Sequence, residues 1–209
     1  MRIDLHVHTS PRSQCSSIDP LQLLERAQIL GLEGLCLTEH GLMWSKEEVQ
    51  ELEKISAGVR IFRGMEVTTN QGDVLVFGIS RDIKEVVPIE QLRQEVLEAG
   101  GFMAAAHPFR GFLLFGVTQL QMSEEQASQR NLFKYVDAVE IGNCKVTEPE
   151  NKMARQVAQR LGLAGVAGSD AHRLEELGKW VTVFRREIRD DEDLLKELRW
   201  GRFSVGYVP

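Results

Sequence analysis

Short apolar runs alternate with amphipathic segments along this 209-residue chain, and that alternation restricts its possible folds more than any single motif does. The stretch at Asp4–Thr9 opens a predicted strand, and Gly34–Leu37, Val59–Phe62, Asp73–Ile79, Phe102–Ala106, Val136–Ile141, Ala164–Ala167 and Lys179–Phe184 read as further strands. Between them lie helical patterns. Asp19-Pro20 reads as an N-cap and N1 pair, Leu21, Leu24, Ala27 and Leu30 follow at helical spacing, and Gly31 stops the helix. Ser45 caps a second helix carrying Val49, Leu52 and Ile55, and Ile89–Ala99 is a third. A polar helix around Glu124–Leu132, one over Pro149–Leu161 and a last one over Asp190–Trp200 complete the set. Ser10–Ser17 is a polar loop, and Phe109–Gln121 reads as a long irregular loop rich in exposed-looking aromatics. One strand and one helix recur every roughly 30 residues, with no charged or proline-rich linker and no repeat. The pattern predicts a single domain over 1–209 with a parallel sheet covered by helices. About seven strands can close as a small irregular barrel or stay open and doubly wound.

Hydrophobic residues at 43% and charged residues at 27% belong to a globular chain with a substantial core. A formal charge of −6 argues against a stable nucleic-acid partner held by charge alone, while metal ions would still allow a short oligonucleotide substrate. No basic segment precedes an apolar run at the start, and no stretch approaches membrane-span length, so a cytoplasmic location without a membrane partner is expected. The three cysteines, Cys15, Cys36 and Cys144, are odd in number and far apart, which is not a disulfide framework.

The ionisable residues carry the chemical signal. His6 and His8 stand two apart in a strand and therefore face one side. All five histidines, His6, His8, His40, His107 and His172, fall where predicted apolar runs end, and the carboxylates Glu66 and Asp170 fall there too. In a parallel α/β barrel those ends share one rim, where catalytic groups collect. Together they exceed the about four to six ligands that one zinc or manganese ion takes. Two or three divalent ions bridged by a carboxylate fit better. Such a centre polarises phosphoryl oxygens and activates water.

In order along the chain, Asp4-Leu5-His6-Val7-His8-Thr9, Thr38-Glu39-His40, Gly64-Met65-Glu66, Ala106-His107-Pro108 and Gly168-Ser169-Asp170-Ala171-His172 resemble the motifs of the polymerase and histidinol phosphatase (PHP) family, over nearly the whole chain. The resemblance implies a distorted (β/α)7 TIM-like barrel and a trinuclear centre of manganese, zinc or iron that hydrolyses phosphoesters through a metal-activated hydroxide. Carried over, His6, His8, Glu66 and Asp170 would hold a first metal. Glu66 would bridge to a second, also bound by His107. His40 and His172 would hold a third, with either of them assisting proton transfer if not tightly ligated.

Two positions depart from that pattern. The loop after the first motif reads Ser13-Gln14-Cys15-Ser16 in place of the further ligand many members carry, so the third metal would be weakly held, absent or filled out by water, with Gln14 a poor ligand and Cys15 a possible one. Gly72-Asp73-Val74-Leu75 has Asp73 where members often have histidine, so Asp73 either ligates the second metal through oxygen or caps a strand end. Glu39 replaces a commoner aspartate and would orient an imidazole or be a solvated group.

Arg110, three residues past His107, suits a phosphate clamp, and Arg12 and Arg173 lie close to ligand motifs. Trp44 would stack on a base or sugar, or pack over a helix N-terminus. Glu140 and Asn143 would bond metal-bound water or support their loop, Cys144 would fill a buried space, and Phe112–Phe115 would form a lid or a subunit contact. The expected activity is hydrolysis of a small phosphate ester or nucleotide-type substrate. The rivals are an amidohydrolase, which would need a bridging lysine early in the barrel, and a non-catalytic metal-binding domain.

Overall fold

The computed structural model describes residues 1–56, 58–112 and 122–208. Strands β1 (Arg2–Val7), β2 (Gly34–His40), β3 (Arg60–Thr69), β4 (Gly72–Phe77), β5 (Phe102–Ala105), β6 (Ala138–Gly142), β7 (Ala164–Ala167), β8 (Trp180–Phe184) and β9 (Phe203–Tyr207) form one sheet. Its order is β7-β6-β5-β4-β3-β2-β1-β8-β9. Helices α1 (Pro20–Ile29), α2 (Lys46–Ile55), α3 (Ile89–Glu98), α4 (Glu124–Ser128), α5 (Glu148–Leu161) and α6 (Asp191–Trp200) connect them. Local chemistry sets several helix starts as expected. The Asp19 side chain accepts from the Leu21 and Gln22 amides ahead of Pro20, Ser45 and Glu48 form a reciprocal capping box, and Asp190 accepts from the Asp193 amide.

The sheet curls into a nearly closed barrel. Val7 bridges to Ala171 in parallel, with His8 N–H donating to Ala171 O at 3.1 Å. Gly168 permits this closure, because a Cβ there would stand 2.5 Å from His6 Cβ. The Thr182 hydroxyl both donates to and accepts from Ala167 at 2.9 Å and ties β7 to β8. Ile3, Leu5, Phe62, Leu75, Phe77 and Phe102 share one buried cluster with Leu194 and Leu198, so α6 packs on the barrel interior at the end away from the histidines. Two other clusters lie between the sheet and the remaining helices.

A sheet parallel throughout is not what forms. β1, β2 and β3 run parallel, as do β5, β6 and β7, but β4 is antiparallel to both its neighbours and β8 is antiparallel to β1. The cause is the short link after Thr69: a parallel crossover needs a dozen or more residues, and only Asn70 and Gln71 separate β3 from β4. Gly72, at φ +127°, begins the return strand. The expected strand Val59–Phe62 continues past Gly64 and Glu66 as the ten-residue β3. Gly64 is there for packing, since a Cβ would meet the Phe77 ring at 2.7 Å. The predicted helix Glu124–Leu132 breaks after Ser128 because Arg130 is extended, and a 3-10 turn at Asn131–Lys134 follows. β9 was not expected. Of the predicted loop, residues 113–121 lie outside the described residues, while Phe109 is buried rather than exposed.

Candidate metal centre

The ends of β1, β2, β5 and β7 and the body of β3 bring seven of the expected side chains together. His40 pairs in register with Glu66 across β2 and β3, which places both at one level. Three groups form: His6, His8 and Asp170; His6, Glu66 and His107; His8, His40 and His172. Within each, the donor atoms lie within 4.8 Å of one another. His6 Nε2 and His8 Nε2 face each other at 3.0 Å. Glu66 Oε2 lies 3.5, 3.2 and 3.1 Å from His6 Nε2, His8 Nε2 and His40 Nδ1, while Glu66 Oε1 meets His107 Nε2 at 2.8 Å. Asp170 Oδ1 is 3.5 Å from His6 Nε2 and 3.4 Å from His8 Nε2.

Glu66 Oε2 and Asp170 Oδ1 are buried and lack a hydrogen-bond partner. Leaving a buried carboxylate oxygen unpaired costs several kcal/mol, so two of them facing ring nitrogens fit a divalent cation placed between. Imidazole with carboxylate is the donor set of zinc, manganese and iron. The electrostatics agree. Burial lowers the affinity of the His6 ring for protons, but Asp170, Glu140 and Glu66 outweigh it and raise the pKa well above the usual value. The Glu66 carboxyl, pushed up by burial, is held well below its usual range by His6, His107 and His40. A field that attracts a proton so strongly also attracts a metal ion.

A buried outer layer fixes ring directions. Glu140 Oε1 lies 2.9 Å from His6 Nδ1, and since a carboxylate only accepts, the proton sits on Nδ1 and Nε2 faces the centre. Glu140 Oε2 accepts from the His107 amide at 2.7 Å and from Asn143 Nδ2 at 3.0 Å. Ser13 donates to Glu39 and lies 3.2 Å from His8 Nδ1, so Glu39 acts on His8 through Ser13. The His172 Nδ1 donates to Asp170 O at 2.9 Å. Among the described residues, His107 at φ 27° and Asp170 at φ 54° are the two non-glycine residues with positive φ, a strained conformation that the surrounding bonds must hold. Asp4 anchors the rest: Oδ1 accepts from the His6 and Ser169 amides, and Oδ2 from the Ser169 hydroxyl and the Gly178 amide. Ser13 and Asp4 were missed as supports, because their partners come from distant or irregular segments.

Other expected residues fall differently. Asp73 is not brought into any of the three groups. Pairing of Thr68 with Asp73 places it two residue pairs beyond Glu66 toward the mouth, and its backbone belongs to β4. Arg110 Nη1 reaches Asp170 Oδ2 at 3.3 Å with its side chain half exposed. Arg12 instead lies over Trp44 and pairs with Glu48. Trp44 is buried and donates to Glu39 at 3.0 Å, so its ring packs and does not face a substrate. Arg173 begins the 3-10 turn Leu174–Glu176. Cys144 donates to Ser169 O, and burial pushes its thiol up to about 12, which removes it as a thiolate ligand. Cys15 is exposed near the mouth.

A curled sheet carrying histidine–carboxylate groups at the ends of its parallel strands defines a metal-centred barrel of the hydrolase type. The chain matches the PHP domain over residues 4–162 and the PHP-associated segment over 148–203, and it belongs to the PHP domain family. It is 28% identical over 197 residues, 93% of this chain and 75% of the other, to the uncharacterized protein MJ0417 of Methanocaldococcus jannaschii. Two solved structures share the fold. One, from Bifidobacterium adolescentis, is described as a candidate metal-dependent phosphoesterase (16% identity, TM-score 0.60, 95% of this chain and 96% of that one). The other, from Chromobacterium violaceum, is described as an amidohydrolase with bound sulfate (15% identity, TM-score 0.66, 95% and 97%). Family and donor groups together support a metal-dependent hydrolase. No helix among the described residues is long and apolar enough to cross a membrane.

Proposed function

We propose that this chain, acting as one domain over 1–209, is a metal-dependent phosphoesterase for small phosphate esters. The observation that carries the reading is the pair of buried, unpartnered oxygens on Glu66 and Asp170, aimed at converging histidine nitrogens. His6, His8 and Asp170 would hold one divalent ion, Glu66 and His107 a second, and His40 and His172 a third. Bound there, the ions supply Lewis-acid polarisation and a lowered water pKa. Arg110, half exposed beside Asp170, directs its remaining N–H groups to phosphate oxygens. Where no third metal is bound, His40, 48% exposed with Nδ1 turned to Glu66, would pass a proton to the leaving oxygen through Nε2. His172, with Nδ1 held by Asp170 O, would serve the same role only in that state.

The side chain that meets His6, His8, His40 and His107 at the centre is a glutamate, Glu66, where an amidohydrolase centre would need a lysine, and this disfavours the amidohydrolase reading. The test is turnover of p-nitrophenyl phosphate with manganese or zinc by the native protein, D170N and H8A. Each substitution is expected to lower kcat/KM by more than about a hundredfold. Undiminished activity in both would sink the site. Tight metal binding without turnover of any ester would favour a non-catalytic domain.

Metal affinity will also fall with pH. Carboxylate neighbours raise the ring pKa values of His6, His8 and His107 against the opposing effect of burial, so protons compete from above the usual imidazole value downward. Chelator competition measured between pH 8 and pH 6, on the order of the imidazole range, should show apparent affinity dropping steadily. A flat profile would mean these rings are not ligands.

A further inference from the structure

The first turn of α5 grips two loops of the rim. Glu150 Oε2 accepts from the Thr147 amide at 2.8 Å and the Thr147 hydroxyl at 2.9 Å, while Oε1 reaches out of the helix and accepts from the Gly111 amide at 2.9 Å. Asn151, the next residue, holds the backbone of Asn143. The Asn143 amide donates to Asn151 Oδ1 at 3.1 Å, and Asn151 Nδ2 donates to Asn143 O at 2.9 Å. Both side chains are buried. Consecutive residues of one helix therefore hold the loop after β5 and the loop after β6.

The two loops meet again at the centre. Asp170 Oδ2 accepts from Arg110 Nη1 and from Asn143 Nδ2, each at 3.3 Å, while Oδ1 is the oxygen that faces His6 and His8. Arg110 directly precedes Gly111, whose amide Glu150 holds. Within the loop, the Arg110 amide donates to His107 O at 2.9 Å and the Phe112 amide to Phe109 O at 3.0 Å, and the Gly111 bond ties that turn to α5. Helix capping alone does not explain why Glu150 is only 5% exposed. In α2 the same capping position is filled by Glu48, whose side chain is 44% exposed. Taking a carboxylate out of water is costly, and among the described residues no cation pairs with Glu150 to offset it. The partner that Glu150 has and Glu48 lacks is a backbone amide of the rim.

We propose that Glu150 is a positioning residue for phosphate binding: through Gly111 it fixes the loop that carries Arg110, and with it the direction of the guanidinium. The inference rests on the phosphoesterase reading, in which Arg110 binds phosphate oxygens. A guanidinium that holds phosphate in the ground state and the transition state alike acts on KM, so loss of Glu150 shows in KM and in the affinity for inorganic phosphate more than in kcat. Glutamine serves in place of glutamate here. Its carbonyl oxygen faces Gly111, and its NH2 faces Thr147, whose hydroxyl turns to accept.

The test measures kcat and KM for p-nitrophenyl phosphate, and binding of inorganic phosphate by calorimetry, with bound metal counted by plasma mass spectrometry. The manganese-loaded proteins are native, E150A, E150M, E150Q, T147A, R110A and the double variant R110A/E150A. E150A and E150M should raise KM and the phosphate dissociation constant by about fivefold or more, with kcat within about twofold and metal retained. E150Q and T147A keep an acceptor for Gly111 and should stay within about twofold of native. In the R110A background, loss of Glu150 should add less than about twofold, because the residue it acts through is gone. E150M keeps the bulk of the side chain without its acceptors, so it decides if E150A does not fold. Native phosphate affinity in folded E150M, an equal loss in T147A, or an undiminished effect of E150A in the R110A background would overturn the proposal. If the native protein hydrolyses no ester, the phosphoesterase reading fails by itself. Calorimetry with inorganic phosphate then decides: weaker binding by E150M than by native protein and E150Q keeps Glu150 as the positioning residue, and equal binding by all three removes it.

Discussion

Replacing Glu140 with glutamine should weaken metal binding by about ten- to a hundredfold, the range seen when an outer partner of a ligating histidine is lost. The size of the effect follows from how many ligands converge on one buried carboxylate. Its two oxygens hold the His6 ring at 2.9 Å, the His107 amide at 2.7 Å and Asn143 Nδ2 at 3.0 Å, and Asn143 in turn reaches Asp170 at 3.3 Å. A glutamine keeps one acceptor and turns an NH2 toward the other donors. In one orientation the NH2 opposes His6 Nδ1–H and the ring loses its tautomer; in the other it opposes the amide that holds His107 at φ 27°. Either way one ligand is released. Competition with a chromophoric chelator, run beside a melting curve to confirm folding, measures the change. Native affinity in a folded E140Q would show that Glu140 does not orient the centre.

The second large effect concerns Asp4, which touches no proposed metal. Asp4→Asn should destabilise the protein by roughly 3 kcal/mol, because either flip of the amide places an NH2 against backbone donors in a dry site. One oxygen faces the His6 and Ser169 amides, and the other faces the Ser169 hydroxyl and the Gly178 amide. The hydroxyl can turn, but the amides cannot. Burial already pushes the Asp4 carboxyl up to about 6 against these bonds, a sign of how dry the position is. A chain of this size loses about 2–4 °C per kcal/mol, so the melting temperature should fall by roughly 6–12 °C. A change under about 2 °C would mean the four bonds contribute little.

Much of the centre was legible because it follows strand ends. His6, His8, His40, Glu66, His107, Asp170 and His172 each stand beside an apolar run, and the runs are recognisable without knowing how they pair. The helix starts at Asp19-Pro20 and Ser45 were legible for a local reason, since the cap and the amide it serves are three residues apart or fewer. What depended on distant segments was hidden. The reversal of β4 turns on two residues after Thr69, and a run such as Asp73–Ile79 carries no mark of its direction. With that reversal Asp73 stands on the same sheet face as Glu66 and lines a cavity beside His107. The Ser13 bond to His8 and the Glu140 bond to His6 join residues 5 and 134 positions apart, the first through an irregular loop and the second across the barrel. Trp44 was placed over a helix start or a base by residue type alone, whereas the buried Glu39 carboxylate captures its indole N–H.

The central claim is that these histidines and carboxylates hold metal, and anomalous scattering from crystals grown with manganese or zinc tests it most directly. The account predicts at least two peaks, one between His6, His8 and Asp170 and one beside Glu66 and His107, at about 2.0–2.2 Å from the donor atoms. No peak within the centre of a crystal saturated with either metal would contradict it.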